Sequence, residues 1–181
     1  MRHEIRVAGF GGQGVITLGY VLANAAGIYD GKYSLMAQSY GPEARGGACR
    51  SDVIISDEPI DYPKISSLDY LIAMSIDAYN QFHCTLESNT KMILEKSLVK
   101  VDNFPQDVDV YRVPAIKIAE ELGNRLTANM VMLGAVQSIT DVVSSESLKQ
   151  AVEDRFPRYI EINLKAIERG MELGVATMGE G

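Results

Sequence analysis

Residues 5–22 read IRVAGFGGQGVITLGYVL, an apolar strand followed by a glycine turn and an amphipathic helix. The turn contains Gly9, Gly11, Gly12 and Gly14. Glycines lack the Cβ atoms that would block a tight turn, and they let backbone N–H groups at the beginning of the helix face a ligand. This order of elements predicts an α/β domain with a Rossmann-like first unit and a close-approach site for an anion or cofactor.

The glycine turn matches a nucleotide-binding motif in its spacing but lacks the residues that would complete it. Gly9, Gly11 and Gly14 fit Gly-x-Gly-x-x-Gly, which also requires an acidic residue at the end of the second strand. That strand ends in Gln-Ser-Tyr at 38–40. Val-Ile at 15–16 stand where a Walker motif needs Lys and Ser or Thr. The turn therefore either contacts a ligand directly or lets the helix, or a partner's backbone, approach closely.

A second glycine cluster, residues 39–52, reads SYGPEARGGACRSD. Loops at the carboxyl ends of neighbouring strands share one crevice in an open α/β sheet, so we expect this loop beside the first. Arg45, which has small neighbours, can clamp a phosphate or carboxylate with its planar guanidinium. The alternative is that Arg45 pairs with Glu43 or Asp52 at the surface and that the glycines only shape a bend. Arg50, at a predicted strand start, fits surface pairing better.

Taken together, these segments resemble one protein family. GFGGQGV at 9–15, SYGPEARGG at 39–47 and the strand DVIIS at 52–56 are similar to the gamma subunit of 2-oxoacid:ferredoxin oxidoreductases and to the pyruvate/ketoisovalerate oxidoreductase gamma catalytic domain. The later segments IDYP, LIAMSIDAYN and NRLTANMVMLGA are similar to the same family, so the resemblance covers nearly the whole chain. SYGPEARGG is far more specific than the glycine turn. The beta subunit of indolepyruvate:ferredoxin oxidoreductase shares this domain and is the alternative.

The resemblance implies a subunit of a hetero-oligomeric oxidoreductase of class EC 1.2.7. Such enzymes oxidatively decarboxylate a 2-oxoacid such as 2-oxoglutarate or pyruvate, transfer the acyl group to coenzyme A and reduce ferredoxin. The partners would be alpha and beta subunits, which bind thiamine diphosphate and magnesium, and a ferredoxin-like delta subunit with iron–sulfur clusters. This chain would bind none of these cofactors itself, would supply no catalytic residue and would be inactive alone. Overall likeness favours 2-oxoglutarate, although no residue identifies the acid.

The resemblance also implies which residues line the crevice for coenzyme A and the active site, or contact a partner there. They are Gly9, Gly11, Gly12, Gln13, Gly14, Tyr40, Gly41, Glu43, Arg45, Gly46, Gly47 and Asn129. The first loop would supply backbone donors and the second would form the opposite wall. Asn129 has a second interpretation, as a capping residue in the first turn of its helix.

The sequence lacks motifs for the difficult chemistry. Thiamine diphosphate sites usually contain Gly-Asp-Gly, whereas the single Asp-Gly pair here, at 30–31, follows a tyrosine. Cys49 and Cys84 are too few for a four-cysteine cluster or zinc site, and His3 and His83 suit no nucleophilic triad. Because these motifs are missing, two other hypotheses stay open. The first is a free-standing nucleotide-binding module or reductase, which the lack of an acidic residue at the end of the second strand disfavours. The second is a purely structural role in assembly.

Length, composition and charge restrict the number of domains, the binding partners and the cellular location that we expect. At 181 residues the chain suits one domain, 1–181, with a loose tail at 175–181. A net charge of −7 without a compensating basic run argues against sequence-independent binding to nucleic acid or an anionic membrane. The sequence shows neither a secretory signal nor a membrane-spanning run, which predicts a cytoplasmic protein. The acidic side chains Glu95, Asp102 and Asp107, scattered around turns, are interpreted as solvated charges.

Strand and helix patterns alternate along the chain. Strands are predicted at 4–8, 33–38, 48–56, 70–74, 91–94 and 109–113, and helices at 13–28, 77–85, 115–122, 128–139, 146–155 and 158–173. This alternation predicts a three-layer α/β/α domain with a largely parallel, mixed sheet. The third strand alternates too irregularly to assign its faces, which indicates an antiparallel or edge strand.

The segment 130–136 is apolar all round, so it needs burial on more than one side. Either it lies inside the domain or one of its faces meets a partner subunit. The second interpretation, together with the two glycine-rich loops, predicts that the isolated chain associates with itself as a homodimer.

Overall fold

A computed structural model describes residues 1–41, 47–102, 104 and 108–178. Three of the predicted site residues, Glu43, Arg45 and Gly46, lie outside the described residues, as does Asp107. The strands are β1 (Arg2–Phe10), β2 (Tyr33–Tyr40), β3 (Ala48–Ser56), β4 (Tyr70–Ala73), β5 (Lys91–Glu95) and β6 (Asp109–Val113). They form one sheet in the order β2-β3-β1-β4-β5-β6.

The sheet is mixed, as predicted. Strands β1, β4, β5 and β6 run parallel, whereas β3 is antiparallel to both of its neighbours, β1 and β2. Of the two interpretations of the third strand, the antiparallel one is therefore confirmed. The strand at this edge of the sheet is β2, not β3. Because β1 and β2 point the same way, their carboxyl ends lie at the same edge of the sheet. The two glycine segments follow these two strand ends.

In the described ranges, six helices cover the sheet: α1 (Val15–Asn24), α2 (Ile76–Phe82), α3 (Ala115–Glu121), α4 (Ala128–Thr140), α5 (Ser145–Arg155) and α6 (Ile160–Met178). A π-helical turn, Ala25–Tyr29, continues α1, and 3-10 turns lie at His83–Thr85 and Arg125–Thr127. Apolar residues of α1 and α3–α6 share one core with the sheet, and those of α2 form a smaller core with it. The predicted α/β/α layers are thus present, and among the described residues α2 is the helix that covers the second face.

Local sequence explains where several helices begin and end. Helix α1 begins at Val15 because Gly14 has a left-handed backbone, with φ 73°. The hydroxyls of Ser75 and Ser144 accept from backbone N–H groups in the first turns of α2 and α5. Helix α6 continues to Met178, into the segment 175–181 that the sequence predicts to be loose.

Helix α4 lies inside the domain. Its residues from Ala128 to Gln137 are all buried, and it packs along α6 through glycines on both helices. Gly134 lies against the Ile167 carbonyl and Gly170 against the Val131 carbonyl, where a side chain would prevent the close approach. The interpretation of this helix as a partner-facing surface is wrong, since interior packing already buries both of its sides.

None of the described helices combines the length and the apolar character that crossing a membrane requires.

Glu4 connects β1 to the segment before β4 by a buried carboxylate. It accepts hydrogen bonds from the backbone N–H groups of Ser66 and Ser67, the Ser66 hydroxyl and the Arg2 guanidinium. Burial alone would raise the pKa of Glu4, but these hydrogen bonds together hold it below its ordinary value. The folded state therefore favours the charged carboxylate.

This lowered pKa predicts an acid-sensitive contribution to stability. Above the ordinary glutamate value of 4.5 the contribution is complete, and it is lost as pH falls through the lower pKa of the folded state. We expect Glu4→Gln to lower the free energy of unfolding by about 1 to 3 kcal/mol at neutral pH, and by less as pH falls below 4.5. Urea denaturation across pH measures this difference. The exposed Glu153→Gln is the control, and a pH-independent difference at Glu4 would contradict the prediction.

Candidate functional site

The glycine turn after β1 has a left-handed backbone at Gly12 and Gly14, with φ 94° and 73°. Between them, the Gln13 side chain holds the turn in place. Its Oε1 accepts from the Phe10 N–H at 2.7 Å, and its Nε2 donates to the Met74 carbonyl at 2.9 Å. Gln13 therefore ties together the carboxyl ends of β1 and β4, so its side chain organises the turn.

Two glycines of the turn leave room for site residues. A Cβ at Gly9 would lie 2.5 Å from Oε1 of Gln13, and one at Gly14 would overlap the side-chain amide of Asn129. Gly12 differs, because a Cβ there would meet nothing within 4 Å. Gly9 and Gly14 thus serve internal packing, whereas Gly12 presents bare backbone to open space.

The structure places the two glycine loops side by side, as the sequence predicts. The Gly11 N–H donates to the Gly47 carbonyl at 3.1 Å and so joins the two loops, while within the second loop the Gly41 N–H donates to the Ala48 carbonyl at 2.6 Å. A small cavity of about 70 Å³ lies at this junction, lined in part by Gly9, Tyr40 and Gly41. The described residues of both predicted walls therefore share one edge of the sheet.

Asn129 joins the site from the first turn of α4. It is 9% exposed, and its side chain makes no hydrogen bond with the described residues. The N-cap of α4 is Thr127, which also makes no side-chain capping bond. The interpretation of Asn129 as a capping residue is therefore not supported. Its amide lies against Gly14 instead.

Two cavities meet at Asn129 and Leu126. The first, about 150 Å³, is lined by Gly12, Gln13, Met74, Leu98, Ile116, Arg125, Leu126, Ala128 and Asn129. The second, about 430 Å³, is more apolar, and its lining includes Met130, Phe156, Tyr159 and Ile162. Leu126 is 82% exposed between them. An extended ligand can therefore pass from the glycine turn to the apolar cavity along this edge.

Sequence reasoning missed Arg125 and Leu126 as lining residues. An exposed Arg-Leu pair directly before an all-apolar helix was the available signal.

The interpretation of Glu95 as a solvated charge is wrong: it is fully buried and accepts from the N–H groups of Ser97, Leu98 and Ile116. At the end of β5 its carboxylate satisfies the following turn and the beginning of α3.

Arg50 pairs at the surface, as predicted. Its Nε lies 3.7 Å from Asp52, and Arg6 binds the same carboxylate through two hydrogen bonds of 2.7 and 2.8 Å. Both guanidinium groups also stack on the Phe82 ring. These interactions assign Arg50 to the packing of the sheet against α2.

The donor side chains of the described residues do not fit a metal ion or an iron–sulfur cluster. Across the described ranges, no group of three His, Cys, Asp or Glu residues is arranged to hold a metal. Cys49 is a buried thiol whose pKa is raised by burial, and Cys84 is exposed on a different part of the fold. A cluster needs several thiolates converging on one point, which this pair cannot supply.

Comparisons with known proteins agree with this fold. The family model described as pyruvate ferredoxin/flavodoxin oxidoreductase matches residues 4–173. The chain is 45% identical to 2-oxoglutarate synthase subunit KorC of Methanocaldococcus jannaschii, over 96% of this chain and 94% of that protein.

Two solved structures are also similar. The gamma subunit of a keto/oxoacid ferredoxin oxidoreductase from Geobacter sulfurreducens is 39% identical with a TM-score of 0.84, and the match covers 96% of this chain and 99% of that one. The 2-oxoglutarate:ferredoxin oxidoreductase from Magnetococcus marinus, solved with 2-oxoglutarate, coenzyme A and succinyl-CoA bound, is 27% identical with a TM-score of 0.90. That match covers 97% of this chain and 31% of the longer one.

Proposed function

Because the chain belongs to the pyruvate ferredoxin/flavodoxin oxidoreductase family and is a subunit of a 2-oxoacid:ferredoxin oxidoreductase, we propose that it is the gamma subunit of an enzyme acting on 2-oxoglutarate. The full-length likeness to a 2-oxoglutarate synthase subunit supports this acid over pyruvate or indolepyruvate. The proposed reaction converts 2-oxoglutarate, coenzyme A and oxidised ferredoxin to succinyl-CoA, carbon dioxide and reduced ferredoxin.

This chain's part in the reaction is to line the crevice for coenzyme A and the active site. The observation that carries the proposal is the convergence, at one sheet edge, of the left-handed glycine turn, the second glycine loop and Asn129, which packs against Gly14. The bare backbone at Gly12 can approach a ligand or a partner's active site closely. Excluding water there would protect a reactive intermediate from side reactions. Glu43, Arg45 and Gly46 belong to the same proposal on sequence grounds.

The cofactors and most of the chemistry belong to the partners in this proposal. Alpha and beta subunits hold thiamine diphosphate and magnesium, and a delta subunit carries the iron–sulfur clusters that pass electrons to ferredoxin. The assembled enzyme works in the cytoplasm, where both thiols of this chain stay reduced. A homodimer of the isolated chain stays a prediction, and the burial of α4 removes one of the two observations on which it rested, the other being the pair of glycine-rich loops.

The open space at Gly12 leads to a test of the crevice. We expect Gly12→Ala in the assembled enzyme to raise the KM for coenzyme A roughly ten-fold or more, because the added methyl group projects into the crevice and misplaces the ligand. Steady-state kinetics with coenzyme A and 2-oxoglutarate varied separately measure the effect. Subunit content, determined by gel filtration, should remain that of the wild type.

Gly31→Ala is the matched control for this test. Gly31 also has a positive φ, 67°, and open space around its Cβ position, but it lies at the amino end of β2, on the opposite edge of the sheet. Both substitutions impose similar backbone strain, of about 1 to 2 kcal/mol. If the two variants show the same kinetics, the glycine turn does not face the substrate and the proposed role of the crevice is wrong.

A further inference from the structure

Strand β2 lies at a lateral edge of the sheet, and its sequence does not protect that edge. Among the described residues, β2 pairs with β3 on one side, and no strand pairs with it on the other. It reads YSLMAQSY, without a charged residue or a proline, and it pairs with β3 along all eight residues without a bulge. Charges, prolines and bulges are the usual protection of an edge strand, because its unpaired N–H and C=O groups attract another strand.

The opposite lateral edge, β6, is protected in this way. It has five residues, includes the charged Asp109 and Arg112, and is followed directly by Pro114. The Arg112 guanidinium also donates to the Val101 carbonyl and lies over the Phe104 ring, which holds the segment before β6 against the strand. One lateral edge of the sheet is therefore protected, and the other is open.

The faces of β2 are also uncovered in its carboxyl half. Ser34 donates to a backbone carbonyl of α1 and Met36 packs against the main core, so the even-numbered residues face α1 and the odd-numbered residues face away. The four residues from Ala37 to Tyr40 are nevertheless all exposed. Tyr33 is exposed too, as is Ile28 on the π-helical turn that packs against β2. Exposed apolar side chains grouped beside an open strand are typical of an interface.

The residue order of β2 suits a second copy of itself in the antiparallel direction. A twofold axis perpendicular to the sheet pairs two copies of one strand in this way, and the alternation of side chains then places one residue opposite itself. With Met36 opposite Met36, the apolar centre of the strand meets its own copy, since Leu35 lies opposite Ala37. The pairs outside this centre contain polar side chains on both strands: Ser34 with Gln38, and Tyr33 with Ser39.

We propose that two copies of this chain pair through β2 in this register and join their six-stranded sheets into one. A second copy is favoured over a strand of another protein, because the same uncharged strand supplies an apolar centre and polar ends in either direction. The pairing also places Lys32 of one copy opposite Tyr40 of the other. A residue of the second copy thus reaches the beginning of the second glycine loop.

A lysine on the open strand tests the surface. We expect the isolated wild-type chain to be a dimer at roughly 10 μM in sedimentation equilibrium, and Ala37→Lys to raise the Kd of that dimer about 10-fold or more. The added ammonium group lies opposite the apolar Leu35 of the second copy and loses water there. Within one copy, position 37 is exposed and lies opposite Asp52 of β3, so the lysine suits the folded chain.

Two features make this test specific. The chain has a net charge of −7, so an added lysine reduces the overall repulsion between two copies, and dissociation reports a local effect. Ala37→Thr is the matched control, an uncharged change at the same position to a residue that favours strands, and it should leave the dimer intact.

Cross-linking tests the register, because Met36 is proposed to lie opposite itself. In a Cys84→Ser background, which removes the exposed thiol, a short bifunctional thiol reagent should join Met36→Cys to a second copy. Tyr111→Cys is the matched control. Tyr111 is the central residue of β6 and, like Met36, is partly buried against the main core. It should give no cross-linked dimer.

A monomeric wild-type chain would overturn the pairing of two copies, and loss of binding to the partner subunits in Ala37→Lys would then assign β2 to a strand of a partner. A dimer whose Kd is unchanged in Ala37→Lys would place the interface on another surface and overturn the proposal as well. Cross-linking through position 111 and not through position 36 would assign the dimer to β6. The role in coenzyme A binding is separate, since Gly12→Ala tests it in the assembled enzyme.

Discussion

The isolated chain is expected to reduce neither ferredoxin nor a viologen dye with any 2-oxoacid, and turnover should appear only after the partner subunits are added. The isolated chain lacks the groups that this reaction requires. Decarboxylation needs a carbanion-stabilising cofactor, and the electrons need a chain of redox centres. The sequence has no Gly-Asp-Gly motif, and its two cysteines are separated in the fold. Anaerobic dye reduction, assayed with and without the partners, measures the difference.

Two controls make this experiment specific. Partners mixed without the chain should give little turnover, because the crevice would lose one wall, and the Gly31→Ala chain should restore activity as well as the wild type does. Robust dye reduction by the chain alone would contradict its assignment as a subunit without cofactors. Full activity of the partners without the chain would show that it is dispensable for catalysis.

Replacing Gly170 by alanine is expected to lower the free energy of unfolding of the isolated chain by about 3 kcal/mol or more. The new Cβ would overlap the Val131 carbonyl of α4, and backbone atoms in the centre of a helix pair cannot move aside alone. The two helices would have to separate, which opens voids along the core that they share. Alanine favours an isolated helix by up to about 1 kcal/mol over glycine, so a loss of stability here isolates the steric effect.

A graded series checks the origin of this loss. Gly134→Ala meets the Ile167 carbonyl in the same way and should be equally damaging. A Cβ at Gly174 would overlap the Ser138 hydroxyl, which can rotate away, and would lie 2.9 Å from the Ala135 carbonyl oxygen, a milder backbone overlap than the one at Gly170. The loss of stability in Gly174→Ala should therefore be smaller. Urea denaturation of the three variants measures the order. Equal stability of Gly170→Ala and the wild type would mean that α4 and α6 are not in backbone contact.

The strands and helices could be predicted because apolar periodicity and glycine are local signals. The strand over 48–56 matches its prediction in full, and the strand predicted at 33–38 continues two residues further, to Tyr40. The predicted helix at 13–28 begins later, at Val15, because Gly14 adopts a left-handed conformation that the motif permits but does not require. The family could be recognised from the two glycine loops because their residues carry a specific pattern.

The burial and pairing of individual side chains depend on residues that are far away in the sequence. Glu95 is a buried acceptor because α3 brings the Ile116 N–H back to the end of β5, where the following turn adds two more N–H groups. The apolar helix α4 lies inside the domain because α6 packs along it through Gly170. Asn129 reaches the beginning of α1 because Gly14, more than a hundred residues earlier, has no side chain.

The sequence alone therefore determined the layers, the two glycine loops and the family, since these follow from local pattern and residue type. Only the tertiary structure decided that Gln13 braces the turn, that Gly12 faces open space and that Arg125 shares a cavity with Asn129. The physical reason is that a site at the carboxyl edge of a sheet is assembled from the ends of separate strands and helices. Its geometry is set by how these elements pack, and no short segment contains that information.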